Sequence, residues 1–328
     1  MLKNISNKLF KRLYHSNEKS WAIISGATGG LGESYSNILY KLNFNLIIIG
    51  RNTKKLMQTK DNILKHNRNS NLNIDIMCID FENNGTKDII NIINSNICNK
   101  NIKILVNCVG QGGNAKNYLE NYKYNAEDLT KDILNDEKFV KVNLLSHLIL
   151  TKLFLRYKNN KEKCLLINIS SLLGVNCSPG LSLYGSCKAF QTHFNNSLSF
   201  ENEYNHDLLD IYTFTPWYID TNMVKRIKSK FKMTSLKFVQ NSLIKISIIS
   251  YFKYLLNPCS KFFKMLVIKS KSSKYSSSVS FVHYLITKYY VKNRQFPSYF
   301  YKYIMKLKLI PISELRKKKK ENKKSDNY

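Results

Sequence analysis

A short apolar run, WAIIS (21–25), passes without a spacer into the glycine-rich SGATGGLG (25–32) and then into a helix-compatible ESYSNILYKL (33–42). A buried strand feeding a tight glycine turn and then a helix is half of a strand–helix–strand unit, whose next strand must lie parallel to the first. The glycines let the backbone approach a ligand closely, and the helix N-terminus faces an anion. The spacing is Gly-x3-Gly-x-Gly over Gly26, Gly30 and Gly32, not the GxGxxG of the common dinucleotide fingerprint. In this context the turn predicts a dinucleotide pyrophosphate as its ligand.

The same alternation continues down the chain. FNLIIIGRN (44–52) reads as a second strand, 53–65 as helix, LNIDIMCID (72–80) as strand, and 86–97 as helix. IKILVN (102–107) is a strand, a loop runs to about 130, and 138–157 is one long periodic helix. CLLINIS (164–170) and DIYTFTP (210–216) supply two more strands, with a helix between them. The pattern predicts an α/β fold with a doubly wound, mainly parallel sheet of the Rossmann type, spanning 21–235. Ligands of such sheets bind at the carboxyl ends of the strands. At the end of the second strand an NAD-preferring protein would place an acid against the ribose 2′-hydroxyl. Here stand Gly50, Arg51 and Asn52, with Lys54 and Lys55 beyond, so a cation awaits a 2′-phosphate and NADPH is the expected cofactor.

Ser171 follows the CLLINIS strand by one position, Tyr184 lies thirteen residues on, and Lys188 is four beyond that. Spacing of i and i+4 sets Tyr184 and Lys188 on one helical face. A free phenol has a pKa of roughly 10, and a neighbouring ammonium is expected to pull it toward neutrality, where it can act as an acid. A strand-end hydroxyl can then hold the substrate oxygen. Asn143 is a polar residue on an otherwise apolar helix.

Apolar residues make up 43% of the 328-residue chain and aromatics 12%, which excludes wholesale disorder. The net charge of +30 is uneven: from Val224 onward 26 Lys+Arg face 3 Asp+Glu, which places +23 in the last third. Such asymmetry predicts an anionic surface as partner. Seven cysteines, without a CxxC pair or a Cys/His cluster, predict reduced thiols facing a cytosolic compartment and no metal site. Residues 1–20 are basic, carry no apolar signal core, and read as a basic leader; a mitochondrial or plastid presequence is the alternative.

Together these residues resemble the short-chain dehydrogenase/reductase family over about 20–225. The resemblance is carried by the turn, with Ser25 for the usual Thr, by Asp80, by Asn107-Cys108-Val109-Gly110, by Asn143, Ser171, Tyr184 and Lys188, and by Pro216-Trp217-Tyr218-Ile219-Asp220-Thr221. GAT-G-LG, ILVN-VG, NISSLLG and Y-x3-KAF look most like the membrane-associated branch of very-long-chain 3-oxoacyl-CoA reductases and 17β-hydroxysteroid dehydrogenases. The resemblance implies catalytic roles for four residues. Tyr184 would be the proton donor, Lys188 its partner and a ribose ligand, Ser171 the group that orients the carbonyl, and Asn143 the holder of a relay water. It also implies that Gly26, Thr28, Gly30, Leu31 and Gly32 cradle the pyrophosphate and that Arg51 meets the 2′-phosphate. Asp80 and Phe81 would flank the adenine, Asn107 would lie near the ribose, and Ile219 and Thr221 would contact the carboxamide. Trp217 stands where the family has Gly.

The implied substrate is a lipid carbonyl, an acyl-CoA or a steroid, and the implied place is the cytosolic face of the endoplasmic reticulum membrane. An inactive family member serving as a membrane scaffold is the reading from another class. Residues 236–328 read as a lysine-rich helical, membrane-interfacial extension, with 257–279 as an inserted loop. In YFYKYIMKLKLIPI (299–312) aromatics alternate with lysines, a pattern for lying on a bilayer rather than crossing it. No nucleic-acid recognition motif accompanies the charge, and a homodimer stays open.

Overall fold

The computed structural model describes residues 2–15, 20–66, 72–112, 126–177, 180–204, 208–224 and 232–256. Six strands form one sheet: β1 (Ser20–Ser25), β2 (Asn45–Gly50), β3 (Ile74–Cys78), β4 (Asn101–Asn107), β5 (Cys164–Ile169) and β6 (Leu209–Phe214). All neighbours pair in parallel, in the order β3-β2-β1-β4-β5-β6. The strands read as continuous apolar runs because both faces of the sheet are covered. Alternate residues serve opposite faces: Ala22 and Ile24 join one core cluster, Trp21 and Ile23 the other.

Helices α2 (Gly30–Lys41), α3 (Thr53–His66) and α4 (Thr86–Ile97) connect the first four strands. α2 and α3 bury Tyr35, Leu39, Leu56 and Ile63 on one face, while α4 buries Ile89, Ile93 and Ile97 on the other. The expected single helix over 138–157 is longer and interrupted. It begins as α5 (Ala126–Val140), passes through a π-helical turn (Lys141–Leu145), and continues as α6 (Ser146–Tyr157). α5 buries no residue: its Leu129, Ile133 and Leu134 are exposed, set among acids and lysines. The helix α7 (Ser182–Tyr204) carries Tyr184 and Lys188.

The basic N-terminal stretch is folded in as α1 (Leu2–Tyr14), which packs on α8 (Ser235–Leu256). Phe10 and Tyr14 are each 1% exposed, and from α8 Phe238, Val239, Leu243 and Ile246 enter the same core. Full burial of one such apolar side chain contributes about 1.5–3 kcal/mol. A polar pin fixes the arrangement. The Tyr14 hydroxyl donates to Asp210 Oδ2 on β6 and accepts from Ser250 Oγ on α8, and Lys163 Nζ reaches the same Asp210 oxygen at 2.9 Å. A two-stranded parallel ladder, β7 (Ile219–Asp220) with β8 (Met233–Thr234), leads into α8. Residues 257–279 and 299–312 lie outside the described residues. Among the described residues no helix is long and apolar enough to cross a membrane.

Candidate functional site

The strand order reverses between β1 and β4, and a crevice must open where the connections leave in opposite directions. A cleft of about 900 Å³ lies there, at the carboxyl ends of the strands. Its lining includes Gly26, Thr28, Gly30, Leu31, Gly32, Arg51, Asp80, Phe81, Asn143, Ser171, Tyr184, Lys188, Ile219 and Thr221, so fourteen of the fifteen residues singled out from sequence converge on it.

Asn107 is the exception. It is 3% exposed at the end of β4, and its Nδ2 donates to Asn168 Oδ1 at 3.0 Å and to Thr151 Oγ1 at 3.1 Å. The side chain thus ties β4 to β5 and α6 instead of lining the cleft. The cleft wall after β4 is made by Cys108, Val109, Gly110, Gln111 and Gly112. The same strand-end logic that singled out Asn107 applies to these residues, one step later in the chain.

The glycine turn is shaped for close approach. Gly26 takes a positive φ of 67°, and a side chain at Gly32 would place its Cβ 2.2 Å from the Gly26 carbonyl oxygen. The α2 N-terminus therefore sits directly on the turn, with its free N–H groups toward the cleft. Ser25 does the work expected of the usual threonine. Its hydroxyl accepts the N–H groups of Cys108 at 3.1 Å and Val109 at 3.2 Å, which locks the two switch-point loops together. These features fit a dinucleotide pyrophosphate.

At the end of β2, Arg51 is two-thirds exposed and reaches Glu82 Oε2 at 3.4 Å; Asn52 and Lys55 also line the cleft. Burial alone would raise the nearby Asp80 carboxyl. The Asn83 amide, the Glu82 N–H and the Arg51 charge outweigh it and hold Asp80 below its ordinary range.

On the other side, Ser171 is extended at the start of a 3₁₀ turn (Leu172–Gly174), and its Oγ accepts the Leu173 N–H at 3.2 Å. A Cβ on Gly174 would lie 2.6 Å from the Lys188 backbone carbonyl, so this turn packs tightly against α7 and brings Ser171 beside Tyr184. The Ser170 hydroxyl, donating to the Lys188 carbonyl at 2.8 Å, holds the same junction.

The protonation pattern differs from the expectation drawn from spacing. Burial pushes the Tyr184 phenol up, the Ser171 hydroxyl draws it partly back, and Cys187 adds to the rise. Burial depresses Lys188 to about 8. The Lys188 ammonium lies 5.9 Å from the Tyr184 ring centroid and donates instead to the Ile169 carbonyl at 3.0 Å and to Gln191 Oε1 at 3.1 Å. Desolvation of the half-buried phenol outweighs an ammonium that is turned elsewhere.

Asn143 lies in the π-helical turn, fully buried, and its Oδ1 accepts the Gln111 N–H at 3.0 Å. Its backbone carbonyl accepts a hydrogen bond from the Gln191 side chain. Trp217 and Tyr218, with ring centroids 4.8 Å apart, line the cleft with Leu173, Leu181 and Met223.

The sequence profile of the short chain dehydrogenase family matches residues 20–232. The chain belongs to that family. Human 17-beta-hydroxysteroid dehydrogenase type 3 is 30% identical over 227 residues, covering 67% of this chain and 68% of the relative. The very-long-chain 3-oxoacyl-CoA reductase of Anas platyrhynchos is 30% identical over 212 residues, 65% of this chain and 64% of that protein. The chain thus aligns with about two thirds of each relative. A short-chain dehydrogenase from Sphingobium yanoikuyae, solved in complex with NADPH, superposes with a TM-score of 0.55 at 17% identity, over 71% of this chain and 84% of that one. At that identity the structural likeness concerns the family fold.

Proposed function

We propose that the protein uses NADPH to reduce a long-chain 3-oxoacyl-CoA to the 3-hydroxyacyl-CoA, a step of fatty-acid elongation. The observation that carries this reading is the placement of Ser171, Tyr184 and Lys188 on the same cleft as the glycine turn. A bound NADPH supplies the hydride. Gly26, Thr28, Gly30, Leu31 and Gly32 hold its phosphates, and Arg51 with Lys55 meets the 2′-phosphate. Asp80 and Phe81 take the adenine end, and Ile219 and Thr221 the carboxamide. The family membership, the NADPH named with the Sphingobium structure, and the cationic end of β2 all support the cofactor assignment.

Burial keeps the Tyr184 phenol protonated, so it enters the reaction as an acid and donates to the substrate carbonyl oxygen. The Ser171 hydroxyl, which already interacts with that phenol, donates to the same oxygen and orients it. The phenolate left behind is stabilised by Lys188, one turn away; with a pKa of about 8 it is mostly charged at neutral pH. Leu173, Leu181, Trp217, Tyr218 and Met223 give the apolar wall an acyl chain needs. The lysine-rich 257–328 segment supports attachment to an anionic membrane surface, at the cytosolic face of the endoplasmic reticulum.

A second reading, a steroid ketone as substrate, is favoured by the human relative's name. Both are tested by following NADPH oxidation by the purified full chain with a long-chain 3-oxoacyl-CoA and, separately, a 17-keto steroid. Higher kcat/KM with the acyl-CoA is expected. Preference for the steroid overturns the first reading, and turnover of neither overturns both.

A further inference from the structure

Gln191 lies one turn beyond Lys188 on α7 and is 2% exposed. Its amide is used at both ends. Oε1 accepts from Lys188 Nζ at 3.1 Å, and Nε2 donates to the backbone carbonyl of Asn143. That carbonyl belongs to a π-helical turn, an irregularity that recurs at functional sites. Asn143 in turn takes the Gln111 N–H through its own side chain, and Gln111 lines the cleft. One buried amide therefore connects the lysine, the π turn and the loop after β4.

The lysine's geometry follows from this connection. An ammonium has three hydrogens. Among the described residues two are taken, by the Ile169 carbonyl at 3.0 Å and by Gln191. The nitrogen borders the cleft beside Gly110, where an added Cβ would lie 3.6 Å away, so the third hydrogen has the cleft to point into. Remove Gln191 and the ammonium has one fixed acceptor, about which its long stem can swing.

We propose that Gln191 is a positioning residue for the reduction, a rigid side-chain bridge that sets the direction of the Lys188 ammonium and spans the gap to the Asn143 carbonyl. The resemblance implied a relay water positioned by Asn143; here the backbone carbonyl of Asn143 accepts from the Gln191 amide. The bridge cannot diffuse away, and it couples the π turn directly to the lysine. The proposal rests on the reductase reading for its kinetic consequence, but the bridge itself can be tested without nucleotide.

Two variants separate bridging from packing. Gln191→Met keeps the length and fills the space but removes both hydrogen bonds, which leaves a buried carbonyl and an ammonium hydrogen unpaired. Gln191→Ala also removes the bonds, yet opens room for one or two waters of ~30 Å³ each, which can span the same two partners. If Gln191 bridges, the Ala variant should melt several degrees above the Met variant without nucleotide, reversing the order that volume alone dictates. With NADPH and the ketone that the full chain turns over, Met should lower kcat by ~10-fold or more while substrate KM stays within about twofold, and Ala should lower it less.

A Met variant that melts at or above the Ala variant overturns the bridge. A Met variant with undiminished kcat overturns the positioning role. If the unaltered protein reduces neither ketone, the reductase reading fails, and the melting order alone decides whether the bridge exists.

Discussion

The Lys188 ammonium donates to the carbonyl of Ile169, 3.0 Å away, although Tyr184 stands one turn back on the same helix. Helical spacing brings the two residues to one face, but it does not say where a lysine's hydrogens go. The last residue of β5 takes one of them, so the strand that delivers Ser171 also anchors the lysine. The site is a junction between β5 and α7, and the acid role proposed for Tyr184 depends on that junction staying closed.

Tyr184→Phe removes the buried phenol hydroxyl and nothing else. Turnover should fall by ~10²-fold or more, while NADPH affinity measured by fluorescence titration changes little. Near-normal turnover in this variant would exclude Tyr184 as the proton donor.

Arg51, the residue proposed to meet the 2′-phosphate, is only loosely engaged, by Glu82 at 3.4 Å. Arg51→Asp sets a carboxylate against that phosphate and should move preference toward NADH. The measurement is the ratio of kcat/KM for the two nucleotides. A ratio equal to that of the unaltered protein would make Arg51 a surface charge.

His147 is 2% exposed, and burial depresses it to about 4, with Asn195 pulling it up and Lys188 pushing it down. The unfolded chain binds the imidazole proton near pH 6.5 and the folded one only near 4, so between these values the unfolded state holds more protons. This residue's contribution to stability is therefore lost as pH falls from 6.5 toward 4 and is level above 6.5. Denaturant titrations of the unaltered protein and of His147→Gln at pH 7, 6 and 5 should show the difference shrinking or reversing with acid. A pH-independent difference would contradict a buried neutral imidazole.

Much of this was legible in the sequence, for physical reasons. Parallel strands buried on both faces are unbroken apolar runs, so WAIIS, IKILVN and CLLINIS fall within a residue or two of β1, β4 and β5. The helix over 86–97 has the same bounds in the structure because Ile89, Ile93 and Ile97 repeat at helical spacing. What stayed hidden depends on contacts distant in the chain. α1 carries its apolar stripe, Phe10 and Tyr14, among lysines, and only α8 and β6 reveal why those two are buried. The direction of Asn107 and the partners of Gln191 are likewise set by α6, β5 and the π turn.

The Tyr14 pin predicts a cost when it is broken. Tyr14→Phe keeps the ring in the core but takes one hydrogen-bond donor from Asp210, which is 4% exposed and keeps Lys163. Loss of a hydrogen bond to a buried charged acceptor should cost about 1–3 kcal/mol, read from urea unfolding. An unchanged midpoint would mean that the partners left to the carboxylate, Lys163 among them, satisfy it without Tyr14.

Membrane attachment has to be tested with a cut that leaves the fold intact. Ending the chain near residue 231 would remove α8, whose Phe238, Val239, Leu243 and Ile246 are 0–4% exposed in the main core, and would report on folding. Ending it after Leu256 keeps α1, α8 and the pin, and removes 18 Lys+Arg against 3 Asp+Glu. Basic residues near an anionic leaflet contribute ~1 kcal/mol each, so engagement of even a third of them would hold the protein on vesicles. The full chain should sediment with phosphatidylserine-containing vesicles at low salt and progressively less at high salt, because the attraction is screened. The shortened chain should stay in the supernatant with its melting temperature preserved. Equal sedimentation of both forms, indifferent to salt, would rule out the 257–328 segment as the anchor.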